Sequence, residues 1–298
     1  MQVANKVASI LVWCVLLVPG LMAQDTGFLQ DPEEPPIAGN GESTGFGHGL
    51  TLFGEWLMVG APRSYWDGDR AGALWSWNVD TGELQWVPVP GTRDWSSLGW
   101  SLDASGEDAI LAVGAPGESV GGITAGAVHL FEDRGAGVQW IQRVEPPTLE
   151  SNAGFGHAVH WNRKELWIAS PYASGLIGFQ EGAIRRFREG PSGFGVDFMI
   201  GSPVPQAGAR FGESLLVTDQ EILVAAPGQQ GGGAVFVFRR GGLTPTLTQI
   251  LRPHGFGVSS AGFGSSLAMG DGGNGLAIGA PWLGSGIVFL YRRSGDGE

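Results

Sequence analysis

The residues best suited to chemistry share one place in a repeated dipeptide. His48, His157 and Glu213 each stand directly after a Phe-Gly pair, and the same place holds Trp100 after Leu98-Gly99 and Ser265 after Phe263-Gly264. Equivalent positions of a repeat form a ring. If that ring faced one cavity, two imidazoles and a carboxylate could ligate a transition metal or exchange protons as an acid–base cluster. Side chains that turn between repeats, or toward a solvent-exposed rim, satisfy the same spacing and do no chemistry. The next position, Gly49, Ser101, Ala158, Ser214 and Ser266, is small throughout, as suits inner strands crowding a narrow axis.

Other candidates are local. Asp103 and Asp108 lie in the segment DASGED, and Asp67 and Asp69 in a long loop beside Tyr65 and Trp66. Carboxylates in a loop can wrap a hard cation, and exposed aromatic rings can stack on a ligand; solvated turns and packed rings are the plainer alternatives. Arg185 and Arg186 interrupt an apolar strand, read as an exposed strand end or an anion contact. His129, His160 and His254 stand singly and are expected at the surface or on strand faces. The chain lacks a nucleophile elbow, a phosphate-binding loop and an HExxH helix, and nothing in the repeats marks the carboxylate pair of a glycosidase.

The elements that would position these residues are strands. The chain carries 52 glycines and 18 prolines, yet 43% of its residues are hydrophobic and 12 are tryptophan, so the glycines read as turns rather than disorder. Lys6 followed by an apolar run from Val7 to Val18, then Pro19, Gly20 and Ala23, has the plan of a cleaved signal peptide over residues 1–24. The chain is therefore expected to be secreted, periplasmic or at the cell surface. That run is too short to span a bilayer. Cys14 would leave with the leader, so no disulfide is expected. A net charge of −12 disfavours nucleic acid and anionic lipid as partners.

A small-small-Pro triplet follows each Phe-Gly member and ends at Pro62, Pro116, Pro171, Pro227 and Pro281, 54 to 56 residues apart. Gly-led strands from Gly72, Gly126, Gly182, Gly233 and Gly286 come next, and fourth strands are read at Leu84, Trp140, Asp197 and Leu247. In GAVFVF both faces are apolar, so each sheet must lie between two others. The reading is all-β: a five-bladed β-propeller of four-stranded blades, with repeats at about 46–97, 98–154, 155–210, 211–262 and 263–298. Phe28-Leu29-Gln30 parallels Trp140-Ile141-Gln142, so residues 27–31 are expected to close the last blade as its missing strand.

These residues resemble the FG-GAP repeats of the integrin α-subunit head, which also occur in bacterial surface and secreted proteins; the resemblance covers about residues 28 to 291. It implies a propeller over 25–298 and a noncatalytic binding or adhesion role toward a protein or glycan; a secreted member of bacterial type and a monomer are expected beside it. Integrin-like heads have seven blades, so five units imply a smaller closed propeller or a partial ring needing partners. The family often binds calcium through a DxDxDG-type loop; no such loop is kept here, and no cofactor is expected. A carbohydrate-binding propeller using loop aromatics is one alternative, and a metal-dependent hydrolase using His48, His157 and Glu213 is another.

Overall fold

The computed structural model describes residues 44–65, 70–92, 95–135, 137–191, 193–241, 244–254, 260–270 and 273–293. Every element in them is a strand. Blade 1 holds β1 (Leu50–Phe53), β2 (Trp56–Ala61), β3 (Ala73–Asn78) and β4 (Leu84–Val87); blade 2 holds β5 (Ser101–Ala104), β6 (Ile110–Ala115), β9 (Ala127–Asp133) and β10 (Val138–Val144). A short hairpin, β7 (Ser119–Val120) and β8 (Ile123–Thr124), is inserted in blade 2. Blade 3 is β11 (Val159–Asn162), β12 (Glu165–Ser170), β13 (Ala183–Gly190) and β14 (Gly193–Gly201); blade 4 is β15 (Leu215–Val217), β16 (Glu221–Ala226), β17 (Ala234–Arg239) and β18 (Thr246–Leu251). Blade 5 has β19 (Ser266–Met269), β20 (Gly275–Ala280) and β21 (Ile287–Arg292). The chain is a five-bladed β-propeller, as its repeats predict. The closing strand expected at 27–31, like the leader, lies outside the described residues.

The two motifs are interlocked turns. In each repeat the residue after Phe-Gly donates its N–H to the carbonyl of the residue before it, as His157 does to Gly154 at 3.0 Å. The Phe-Gly glycine has positive φ in all five copies, from +86° at Gly47 and Gly99 to +100° at Gly212, which only glycine adopts without strain. Its N–H donates to the first residue of the triplet: Gly47 to Gly60, Gly99 to Gly114, Gly156 to Ala169, Gly212 to Ala225 and Gly264 to Gly279, at 2.8 to 3.1 Å. The triplet proline then sits second in a turn closed two residues later, as from Glu118 N to Ala115 O at 3.0 Å. Proline's fixed φ suits that place, and its missing N–H ends the strand.

Blades meet where these turns touch. The N–H of Leu98, Phe155, Phe211 and Phe263 donates to Ala71, Glu181's counterpart Ala125, Glu181 and Gly232 of the preceding blade in the order 98 to 71, 155 to 125, 211 to 181 and 263 to 232, at 2.9 to 3.0 Å. The motif side chains Leu98, Phe155, Phe211 and Phe263 are 0 to 2% exposed and enter apolar clusters that include residues of the preceding blade, such as Val128 and Leu130 around Phe155. Ser101 and Ser214 of the small inner ring donate their hydroxyls to Gly156 O and Gly264 O of the next blade, at 2.8 and 2.7 Å. At the far end of the blades, ion pairs join neighbours: Arg163 to Asp219, Arg240 to Glu165 and Arg293 to Glu221.

Backbone approach at the junction limits the triplet's first residue. A Cβ on Gly114 would lie 2.0 Å from Gly156 O of the next blade, whereas one on Gly279 would meet only its own blade's Ser266, nearest at the hydroxyl, 2.3 Å away. Gly114→Ala is therefore expected to cost about 1–3 kcal/mol as overpacking against rigid backbone, and Gly279→Ala much less because Ser266 can rotate. Denaturant unfolding of the two variants measures the difference; equal losses would remove the junction as the cause.

Candidate functional site

In an antiparallel meander the start of the first strand, the end of the second, the start of the third and the end of the fourth all lie at one end of the blade. The Phe-Gly turns, the triplets and the two long loops of each repeat therefore share one face. The described large apolar side chains that remain exposed collect there: Phe46, Trp95, Ile123, Leu149, Leu176, Ile177, Phe179, Val204 and Trp282. The other four lie on strands, Val196 and Met199 on β14 and Val288 and Leu290 on β21. The turns at the opposite end carry charge instead, among them Glu55, Glu107, Arg134, Arg163, Lys164 and Asp219.

The loop of blade 3 is the most apolar, with Leu176 91%, Ile177 66% and Phe179 81% exposed. It is held in shape. The buried Glu181 carboxylate accepts the Leu176 and Ile177 N–H groups at 3.1 and 2.5 Å, and Glu150 accepts that of Ser174 at 2.7 Å. Gly175 N donates to Gly178 O, and Gly208 N to Phe179 O. A Cβ on Gly175 would lie 2.1 Å from Glu181 Oε2 and 2.9 Å from Glu181 Cβ, so a larger residue there would push on the carboxylate that clamps the loop.

The ring read from the sequence comes together on the same face. His48 Nδ1 donates to Trp100 O at 2.9 Å, and its ring lies 4.4 Å from the Trp100 ring. Trp100 is 5.2 Å from His157, and His157 is 5.3 Å from Tyr172. His157 Nε2 lies 3.8 Å from Glu213 Oε1, and Arg210 reaches that oxygen at 3.5 Å while its guanidinium covers Trp282 at 5.4 Å. Burial first, then the His48 and Arg210 charges, lower the His157 pKa to about 4. Burial raises that of Glu213 against the pull of Arg210, and Glu213 Oε2 is buried without a hydrogen-bond partner.

Arg210, Tyr172 and Trp282 were missed in the sequence, although the aligned repeats carry their signal. The residue before Phe-Gly has positive φ in every repeat: Gly45, Ser97, Gly154, Arg210 and Gly262. Glycine stands there where the residue after the triplet is large, and a Cβ on Gly154 or Gly262 would lie 2.8 Å from Tyr172 or 2.5 Å from Trp282. Ser97 and Arg210 replace it where the triplet is followed by Gly117 and Gly228, onto which the loop backbone closes to within 2.0 Å of a hypothetical Cβ. Arg210 thus holds a left-handed conformation at a cost of about 1–3 kcal/mol.

Among the described residues no three His, Cys, Asp or Glu side chains are placed to hold an ion. Asp103 accepts Trp161 N–H at 2.7 Å and faces His160 at 3.3 Å, a tie between blades 2 and 3, while Asp108 faces Lys164 at 3.7 Å. Burial raises the Asp103 pKa and His160 opposes it. Tyr65 lies beneath the Arg70 guanidinium at 5.6 Å; Trp66, Asp67 and Asp69 lie outside the described residues.

The expectation for Arg185 and Arg186 changes. Arg186 is neither a bare strand end nor free for an anion: it pairs with Glu165 and Asp197 and covers Trp167 and Phe198. Arg185 is half-buried and donates to Ser170 Oγ at 3.1 Å. His129 lies on a strand face, on β9, and is fully buried there: Trp140 Nε1 donates to its Nδ1 at 3.0 Å, and its Nε2 donates to Glu118 at 2.6 Å. Their partners are distant in sequence or on another strand, so isolated inspection could not reveal them.

Two cavities open among the loops. One of about 420 Å³ is lined by Gly91, Glu118, Ser119, Gly121, Gly122 and Arg143. The other, about 170 Å³, is lined by Pro62, Arg63, Arg70, Trp95, Ser97 and Trp100. No helix among the described residues is long and apolar enough to cross a membrane.

The described residues build a propeller whose loop face gathers exposed apolar and aromatic side chains. No family model matches the sequence. The chain is similar to integrin alpha-3 of Mus musculus and of Cricetulus griseus, 36% identical to each over 31% of this chain and 10% of the relative. The match thus spans about a tenth of the length of those relatives. A functionally unknown protein from Desulfotomaculum acetoxidans shares the fold, with a TM-score of 0.51 and 10% identity over 82% of this chain and 64% of its own. Fold and similarity together describe an integrin-like β-propeller.

The His157 environment gives a pH signature. Its folded pKa of about 4 lies below the unfolded value near 6.5, so the unfolded chain binds the proton first. Stability is complete above pH 6.5 and falls as pH drops toward 4, by on the order of 3 kcal/mol from this group, partly offset by Glu213, whose raised pKa acts in the opposite sense. Urea unfolding at stepped pH should show a shallower acid loss for His157→Gln than for the parent chain; an unchanged slope would assign the acid loss elsewhere.

Proposed function

We propose that the chain is a noncatalytic binding or adhesion module, secreted or displayed at the cell surface, whose loop face engages a protein partner. One observation carries this reading: exposed large apolar side chains lie in the loops of one face, whereas the turns at the opposite end bear charge. Burying one such side chain stabilises a complex by about 1.5–3 kcal/mol, and monomeric surfaces seldom keep many of them at one site without a use. The clamped loop of Leu176, Ile177 and Phe179 is a pre-organised anchor, because its backbone is already fixed before binding. The similarity to integrin alpha-3 favours the same class of role.

The second reading, a glycan ligand, is favoured by the cavity that brings Arg63 and Arg70 beside Trp95 and Trp100. Arginine can pair with a sugar carboxylate while tryptophan stacks on the ring.

Arrays of extracellular proteins and of acidic and neutral glycans, probed with the purified chain, separate the readings. Capture by a protein is expected, weakened about tenfold or more by Leu176→Ser with Phe179→Ser and unchanged by Lys164→Ala at the opposite end. Capture that survives the loop substitutions would overturn the loop-face reading. Glycan capture lost with Trp95→Ala would replace the partner class. The module is read as working without a resident metal, so a chelator should leave both capture and the thermal midpoint where they were; a lowered midpoint would refute that.

A further inference from the structure

Four blade junctions are built alike, and the fifth is not made among the described residues. At each of the four, the motif N–H of one blade donates to the carbonyl just before the Gly-led strand of the preceding blade. A Cβ on the strand-leading Gly72, Gly126, Gly182 or Gly233 would lie 2.1 to 2.5 Å from the backbone of the next blade's motif. The equivalent Gly286 of blade 5 has only its own turn nearby, with Pro281 O at 3.7 Å. Phe46, the motif residue of blade 1, donates its N–H to its own neighbour Thr44 Oγ1 at 3.3 Å.

Exposure follows the same division. The second residue after the leading glycine is 0% exposed at Leu74, Val128, Ile184 and Val235, but 59% exposed at Val288. Two residues further on, Leu130 and Val237 are 0% and 6% exposed, and Leu290 is 81% exposed. Phe46 is 38% exposed, against 0 to 2% for its four equivalents. Blade 5 thus presents one half of a junction and blade 1 presents the other. In the remaining blades the third strand is also covered by a fourth, whereas among the described residues no strand lies beyond β21. An edge strand with a bare apolar face is a template for association.

We propose that this surface is an interface with a second copy of the chain, joined head to tail: Val288 and Leu290 of one copy pack on Phe46 of the next. The occupant is specified by the four internal junctions, which show what covers these positions when a motif-bearing blade arrives. Blade 1 of another copy is such a blade, and its motif ring and N–H are not engaged by a preceding blade. The interface is heterologous, so each copy keeps one half free until a ring of copies closes. The sequence suggested a monomer; this proposal departs from that expectation and does not need the partner proposed for the loop face, although Phe46 belongs to both surfaces.

Sedimentation velocity of the purified chain over a wide concentration range tests it. Concentration-dependent association is expected, weakened about tenfold or more by Val288→Glu with Leu290→Glu and, separately, by Phe46→Ser. All three positions are at least partly exposed, and circular dichroism checks that each variant keeps its fold. Mixing the two variants should restore one intact junction and give a pair that grows no further. A chain that stays monomeric at every concentration would overturn the proposal. So would association that survives Phe46→Ser but not the β21 substitutions, which would mean pairing of edge with edge.

Discussion

Neighbouring blades meet backbone against backbone, where the carbonyl of a Phe-Gly glycine in one blade comes up against the first triplet residue of the blade before it. At Gly60 and Gly114 a Cβ would stand 2.0 Å from the Gly99 and Gly156 carbonyls. That contact admits only the smallest side chains, and it sets the spacing of the blades. With the spacing fixed, the Phe-Gly side chain falls into the apolar gap between two sheets, and the glycine's positive φ turns the chain back into its innermost strand. The motif is therefore a joint before it is anything else.

Because the joint consumes the hydrogen bonds of the turns, the loops that leave it are free to differ. They range from the four residues between Pro281 and Gly286 to the ten between Pro171 and Gly182. The exchange of glycine between the position before Phe-Gly and the position after the triplet is how one joint accepts different surfaces. Where the loop closes over Gly117 or Gly228, the preceding position can carry Ser97 or Arg210; where Tyr172 or Trp282 needs the room, Gly154 or Gly262 yields it. Diversity is thereby confined to one face, the face on which the apolar side chains lie.

The ionisable groups divide between two tasks. Glu165 and Glu118 are enclosed by arginine or histidine partners and hold strands or blades together, and Asp103 ties two blades through Trp161 N–H and His160 although burial still raises its pKa. His157 and Glu213 are different, since both are buried beyond what their partners repay: the imidazole is held neutral and one carboxylate oxygen has no partner. Desolvation, rather than ion pairing, dominates both. Such a pair makes the ring of motif side chains sensitive to acid.

Much of the fold was legible in the sequence because a repeat reports on itself. Phe-Gly, the proline triplet and the Gly-led strand recur in phase, and strands β4, β10, β14 and β18 fall where Leu84, Trp140, Asp197 and Leu247 were read as strand residues. The ring of His48, Trp100, His157 and Glu213 was also legible as a set of equivalent positions. What each member touches was not, because equivalence fixes where a backbone lies and leaves the direction of the side chain and the identity of its neighbour to packing. His129 finds Glu118 and Trp140, Asp103 finds His160, and Arg210 finds Trp282 across blades, pairings with no constant spacing along the chain. The exposure of Leu176, Ile177 and Phe179 was hidden for the same reason: an apolar run in a loop reads as core until the tertiary structure shows nothing over it. The sequence by itself determined the repeat, its turns and its strands, since these rest on local backbone conformation. Only the tertiary structure decided which junctions are made and which surfaces stay bare, since those depend on whether a complementary blade arrives.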